Sequence, residues 1–169
     1  MDVGTLLEIP GPEGDLPLAH LIRDADLRAV SDISAELRAV KAAPATSRSG
    51  QLLRSVGPVA FRVPGAMRGF YWLLSRSIWM RRAAGTLTVT SVGMFAGGGG
   101  FGIGFPSPIT LGLVVGGISA RPRAIEGAVE IRDVLELTVT IDHNIVDGAP
   151  AARFGAELRR LIESAELLD

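Results

Sequence analysis

Leu135-Glu-Leu-Thr-Val-Thr-Ile-Asp-His-Asn-Ile-Val-Asp-Gly-Ala-Pro-Ala-Ala-Arg-Phe154 is the stretch whose reading decides the fold. Apolar and polar residues alternate from Leu135 to Ile141, the period of a strand with one face buried. From Gly148 to Leu161 the apolar residues fall at helical spacing instead. The short connection between them holds His143, one of two histidines in the chain, beside Asp142, Asp147 and Gly148. A titratable ring fixed between a strand and a helix, next to carboxylates, is well placed for proton transfer.

Working outward, Gly85 to Val92 alternates as cleanly and reads as a strand. Gly93 to Pro108 is a glycine-rich connection, and Ile109 to Ile118 returns as a nearly continuous apolar strand. Ala120 to Ala128, with Pro122 and Gly127, is expected to turn the chain into the strand that ends at His143. At the other end, Val3 to Ile9 and Leu16 to Arg23 flank a Pro-Gly-Pro-Glu-Gly-Asp turn and predict a hairpin. Asp24-Ala-Asp26 supplies N-cap candidates for a helix to about Ala43, with Leu27, Val30, Ile33, Leu37 and Val40 along one face. Pro44 to Gly50 is loop chemistry. Two helices are expected in Gln51 to Arg82; the second, Ala66 to Arg82, is apolar on more than one face, as a core or interface helix would be. Strands alternating with helices and no internal repeat predict one α/β (α+β layered) domain over residues 1–169, a mixed sheet with helices packed on it.

The 169 residues allow a sizeable core, and at 47% hydrophobic some apolar surface is expected to end in a subunit interface. A net charge of −1 with scattered basic residues offers neither a nucleic-acid stripe nor a polybasic membrane patch. The chain has no cysteine, which excludes disulfides, thiolate nucleophiles and cysteine-ligated zinc. Lys41 is the single lysine, which leaves almost no scope for Schiff-base chemistry. No signal segment or uninterrupted apolar span is legible, and a soluble cytoplasmic protein is expected.

Three formal motifs carry little. Gly97-x-Gly99-x-x-Gly102 has dinucleotide-binding spacing, but it leads to a strand where that fingerprint needs a helix, so a flexible loop is the better reading. His143 and Asp147 stand four apart, which on a helix would put two metal ligands on one face with Asp142 as a third; no other histidine is near, and no metal is expected. No serine has the surroundings of a hydrolase elbow.

The sequence Asp142-His-Asn-Ile-Val-Asp-Gly-Ala149, followed by Ala151-Ala-Arg-Phe154, resembles the His-x-x-x-Asp-Gly signature of the dihydrolipoyl acyltransferases of 2-oxoacid dehydrogenase complexes and of chloramphenicol acetyltransferase. Gly85-Thr-Leu-Thr-Val-Thr-Ser-Val-Gly-Met94 is similar to the family's Gly-Thr-Phe-Thr-Ile-Ser-x-Leu-Gly block. Ile22-Arg-Asp-Ala-Asp26, leading into Ile33-Ser-Ala-Glu-Leu-Arg38, is similar to a third block and its helix.

The resemblance implies a chloramphenicol acetyltransferase-like fold and a homotrimer, or a multiple of trimers, with the active site between subunits. His143 would be the general base acting on the acceptor's thiol or hydroxyl, which then attacks an acyl-coenzyme A thioester. Thr90 would donate a hydrogen bond to the oxyanion, and Asp147 would be structural, paired with an arginine. In the family that arginine lies in an N-terminal segment that this chain is expected to lack. Either a local arginine such as Arg153 or a separate protein supplying the missing half would replace it. No residue is identified as holding coenzyme A.

Three functions follow from the resemblance. The leading expectation is transfer of an acetyl or other short acyl group from acetyl-CoA or a similar donor to a small-molecule or carrier-protein-bound acceptor, as in natural-product biosynthesis. The second is dihydrolipoyl acyl transfer in a 2-oxoacid dehydrogenase complex. The third is a non-catalytic assembly subunit of the same fold.

Overall fold

The computed structural model describes residues 1–10, 14–44, 85, 87–93, 97–104 and 110–166, together with Gln51, Gly65, Arg68, Gly69, Trp72 and Arg76. The two helices expected across residues 51–82 therefore lie outside the described residues, apart from those single positions. Strands β1 (Val3–Ile9), β2 (Leu16–Ile22), β3 (Leu87–Ser91), β4 (Leu111–Ile125) and β5 (Ala128–Ile141) form one mixed sheet in the order β2-β1-β3-β4-β5. The β1–β2 and β4–β5 pairs are antiparallel, and β1–β3 and β3–β4 are parallel. Helices α1 (Val30–Ala42) and α2 (Gly148–Ser164) complete the described elements.

The pleat divides the sheet into two faces. Pairing Val3 with Leu87, Leu87 with Leu111 and Leu111 with Ile141 puts these four on one face, together with Leu7, Ile9 and, through β2, Leu18. On that face α1 packs Val40 and Leu37 against Leu7, Ile9 and Leu18, which is the core cluster of the described residues. His20 stands on the same face. Its Nε2 lies 2.7 Å from Glu36 Oε1 of α1, and Arg28 bonds the other carboxylate oxygen. Burial alone would raise the Glu36 carboxyl, but hydrogen bonds from Arg28 and His20 hold it below its ordinary value.

The helix expected from Asp24 begins later. Residues Ala25–Leu27 form a single 3-10 turn, Asp24 has left-handed backbone (φ 50°), and the N-cap of α1 is Ala29, with no side-chain cap. The Asp26 carboxylate is used elsewhere, pairing with the Met1 amino group, and the Asp24 backbone N–H donates to Asp2 Oδ1 at 3.1 Å. Leu27 and Val30 consequently point to solvent, and the core face of α1 starts at Ile33.

A second difference concerns residues 120–128. Instead of a long turn, β4 and β5 continue as a two-stranded arm, with Pro122 opposite Ile131, and reverse only at Glu126 and Gly127. Both turn residues have positive φ, 49° and 86°, the backbone of a type I′ hairpin. Pro122 is tolerated because β3 ends at Ser91, opposite Val115, so β4 has become an edge by residue 122, where a missing N–H costs little.

Part of the glycine-rich connection, residues 97–104, is described and has neither helix nor strand. Parallel neighbours such as β3 and β4 need a crossover to bring the chain back to the start of the next strand. Residues 97–104 lie flat on the face of β4 opposite α1. Gly117 N–H donates to Gly100 O at 2.8 Å, and a Cβ at Gly102 would stand 2.6 Å from Val114 Cγ1. Only glycine lets backbone approach a sheet this closely.

Candidate active site

β5 ends at Ile141, and the β4–β5 ladder takes one further step, with Asp142 N–H donating to Thr110 O at 3.0 Å. The next residues turn sharply because Asp142 caps them. Its Oδ1 accepts from Asn144 N–H at 3.0 Å and from Asn144 Nδ2 at 2.9 Å, an Asx turn. Its carbonyl accepts from Ile145 N–H at 3.0 Å and Val146 N–H at 3.1 Å. His143 sits inside this clasp with its ring exposed and, among the described residues, without a hydrogen-bond partner.

Asp147 is the N-cap residue of α2. Its carbonyl accepts from Ala151 N–H at 3.1 Å, while its carboxylate makes no cap bond and is exposed. Among the described residues Arg153 does not pair with it. The cost of a lone buried carboxylate does not arise here either, because water solvates the group. His143 precedes the helix, so His143 and Asp147 do not share a helical face, and Asp142 is committed to the turn. Among the described residues no group of three His, Asp or Glu side chains is placed to hold a metal ion.

Thr90 is remote from this turn within the chain. It pairs through Val114 with Thr138, three rows along the sheet from the row that joins Leu87, Leu111 and Ile141. At about 3.3 Å per residue and 4.8 Å per strand, Thr90 lies about 14 Å from Ile141, and His143 is a turn further out. The single chain thus places His143 and Asp147 on one connection and leaves Thr90 apart. Sequence reading also missed where the alternating threonines converge. Thr88, Thr90, Thr138 and Thr140 all lie on the face crossed by the glycine segment, because β3 and β5 are in register through β4. The spacing of two was legible; the pairing that joins the strands was not.

Two cavities open near these elements, and neither is lined by His143, Asp147 or Thr90. One of about 450 Å³ lies among Ser91, Gly93, Gly97, Val115, Gly116 and Leu135. The other, of about 300 Å³, separates the start of α2 at Pro150 and Phe154 from Leu111 and Ile141. No helix among the described residues is long and apolar enough to cross a membrane.

This fold, with a histidine turn between the last strand and the last helix, defines a class. The model of the 2-oxoacid dehydrogenases acyltransferase (catalytic domain) family matches residues 82–168, and the chain belongs to that family. Among curated relatives, the chain is 36% identical over 85 residues to the dihydrolipoyllysine-residue acetyltransferase component of the pyruvate dehydrogenase complex of Mycoplasma pneumoniae, covering 50% of this chain and 20% of that protein. It is 36% identical over 87 residues to the mitochondrial dihydrolipoyllysine-residue succinyltransferase component of the 2-oxoglutarate dehydrogenase complex of Homo sapiens, covering 50% and 18%. The chain thus spans about a fifth of the length of these relatives. Among solved structures, the cubic core of the pyruvate dehydrogenase multienzyme complex has the same fold, with a TM-score of 0.58 and 24% identity over 95% of this chain and 53% of that one.

Proposed function

We propose that this chain is catalytic machinery of a dihydrolipoyl acyltransferase, exchanging a short acyl group between a dihydrolipoyl thiol and coenzyme A. The observation that carries the reading is the His143 turn: an exposed imidazole, clasped by Asp142, inside the region matched by the family model. The natural-product transferase expected first from sequence gives way to the dehydrogenase-complex alternative. Relatives in two such complexes favour it, one an acetyltransferase and one a succinyltransferase, so the acyl group is tested as either.

The chemistry follows from the residues. Neutral imidazole takes the proton of the attacking thiol, and the thiolate adds to the thioester carbonyl. The tetrahedral oxyanion needs a hydrogen-bond donor, and Thr90 is the candidate. Collapse breaks the original carbon–sulfur bond, and the departing thiolate recovers the proton from the imidazolium. Thr90 and His143 stand too far apart in one chain to act together, so the site is read as assembled from two copies, as in the trimers the family resemblance implies. A lipoyl-bearing protein is the partner that supplies the acyl group.

The test is transfer from acetyl-CoA or succinyl-CoA to dihydrolipoamide, followed by separating the products. His143→Ala and His143→Gln are each expected to lose about 10²–10⁴-fold in kcat, the usual contribution of a positioned base. Equal turnover by the alanine variant would remove His143 from the role.

A further inference from the structure

The sheet face opposite α1 carries two neighbouring rows across β3, β4 and β5: Thr88, Gly112 and Thr140 in one, Thr90, Val114 and Thr138 in the next. On the β1 side the residue beside Thr88 is Gly4. Thr88 is thus a hydroxyl between two glycines, and neither neighbouring strand places a side chain next to it in its row. Among the described residues, a Cβ built at Gly112 would meet Thr88 Oγ1 at 3.4 Å and Thr140 Cβ at 3.8 Å and nothing nearer. Gly112 is therefore a bare floor beside the Thr88 hydroxyl. Thr88 and Thr90 are both half-buried, and among the described residues neither hydroxyl has a hydrogen-bond partner.

The glycine segment decides which way a ligand held at Thr90 leaves. Gly102 stands between Val92 and Val114, where a Cβ would lie 3.2 Å and 2.6 Å from their methyl groups, and it closes the face beyond Thr90. Gly104 covers Thr140, with its Cβ position 3.2 Å from Thr140 Oγ1. Among the described residues the row left open beside Thr90 is that of Thr88 and Gly112. Two steps along a strand, at about 3.3 Å each, set Thr88 about 6.6 Å from Thr90 on the same face. A thioester whose carbonyl oxygen is held by Thr90 therefore extends the group on its sulfur over that row. In acyl-coenzyme A the first polar group met there is the amide two methylene groups from the sulfur. In a dihydrolipoyl chain the amide lies several methylene groups further off, out of reach of Thr88.

We propose that Thr88 recognises the acyl donor: the arm of acyl-coenzyme A leaves Thr90 across the floor at Gly112, and the Thr88 hydroxyl accepts the N–H of the amide nearest the sulfur. The inference rests on the reading of Thr90 as the oxyanion donor. It adds the residue that tells coenzyme A from the dihydrolipoyl thiol. Thr88 holds the arm alike in the ground state and the transition state, so it acts on binding and not on the chemical step.

Thr88→Val removes this one hydrogen bond and is expected to weaken coenzyme A binding about 2–10-fold. Calorimetric titration of coenzyme A into the assembled protein reads the change as Kd. KM for the acyl-CoA should rise by the same factor, with kcat and KM for dihydrolipoamide unchanged, and Thr88→Ser, which keeps the hydroxyl, should restore both. The N-acetylcysteamine thioester of the transferred acyl group retains that amide and nothing beyond it, so its kcat/KM should fall equally in Thr88→Val. The S-ethyl thioester has no amide and should show no difference from wild type. Equal loss with both thioesters overturns the proposal, since Thr88 would then shape the sheet and not a contact, and an unchanged Kd overturns it as well. Gly112→Ala sets its methyl at ordinary contact distance, so the thermal midpoint should hold while the methyl occupies the floor and weakens coenzyme A binding. Unchanged binding in that variant removes the path. The contact and the base fail separately: wild-type turnover by His143→Ala with weaker binding by Thr88→Val sinks the catalytic reading and leaves the contact, while an inactive His143→Ala with an unchanged Kd in Thr88→Val does the reverse.

Discussion

Replacing Asp142 by alanine tests whether the histidine turn is held by the clasp seen in the structure. The substitution removes the oxygen that accepts from Asn144 N–H at 3.0 Å and from Asn144 Nδ2 at 2.9 Å, and leaves the two backbone bonds to the Asp142 carbonyl intact. Each lost bond contributes about 0.5–1.5 kcal/mol net, and in this exposed turn the pair is taken at the lower end, about 1–2 kcal/mol. At 1.4 kcal/mol per factor of ten, the ordered turn loses about 5–30-fold against its open forms. The expected result is a fall in kcat of up to about that factor, smaller than the loss from removing His143, with KM for acyl-CoA unchanged, as for a residue that only positions the base. Global stability stays close to wild type, since the turn lies at the edge of the fold. Asp142→Asn keeps an acceptor oxygen at the same place and should lose no more than about threefold. Amide hydrogen exchange at residues 144–146 should rise in the alanine variant and not in the asparagine variant. Unchanged kcat in Asp142→Ala, or equal damage from Asp142→Asn, would refute the reasoning.

Further outcomes follow from the packing. Gly116→Ala places a methyl group 2.3 Å from the Gly100 carbonyl oxygen, a backbone atom that cannot swing aside, and should lower the thermal midpoint by the equivalent of about 1–3 kcal/mol; Gly97→Ala, with nothing within 4 Å, should leave it unchanged. The Glu36 carboxylate is held below its ordinary value by Arg28 and His20 against the opposing effect of burial, so its contribution is complete above 4.5, the ordinary value, where the unfolded chain is also ionised. As the pH falls below 4.5 the unfolded chain takes up its proton first and the contribution is lost. Urea midpoints measured against pH should therefore drop more steeply on the acid side for wild type than for Glu36→Gln. Parallel acid limbs would remove the Arg28–Glu36–His20 cluster as a source of stability.

The strand that ends at Ile141, the helix from Gly148 and the histidine between them were legible because a period of two and a period of 3.6 are local properties of the chain. The Gly85–Met94 block and the Asp142–Ala149 block were legible for the same reason, as short runs of residue types at fixed spacing. Other features were not. Pro122 reads as a strand breaker until it is known that β3 stops short and leaves β4 an edge at that point. Asp24 and Asp26 read as helix caps until the Met1 amino group and Asp2 are seen to compete for that region. The glycines at 97–104 read as freedom, whereas their use is to let backbone touch backbone across the sheet.

By itself the sequence determined most of the described strand and helix segments, since periodicity is written along the chain, and it offered the candidate site residues. Tertiary structure alone decided which of those residues meet. Sheet register sets Thr90 three rows and two strands from the end of β5, and the close approach of Gly102 to Val114 leaves Phe101 and Ile103 exposed. Distances between strands distant in sequence are fixed by pairing and packing, and no local pattern encodes them.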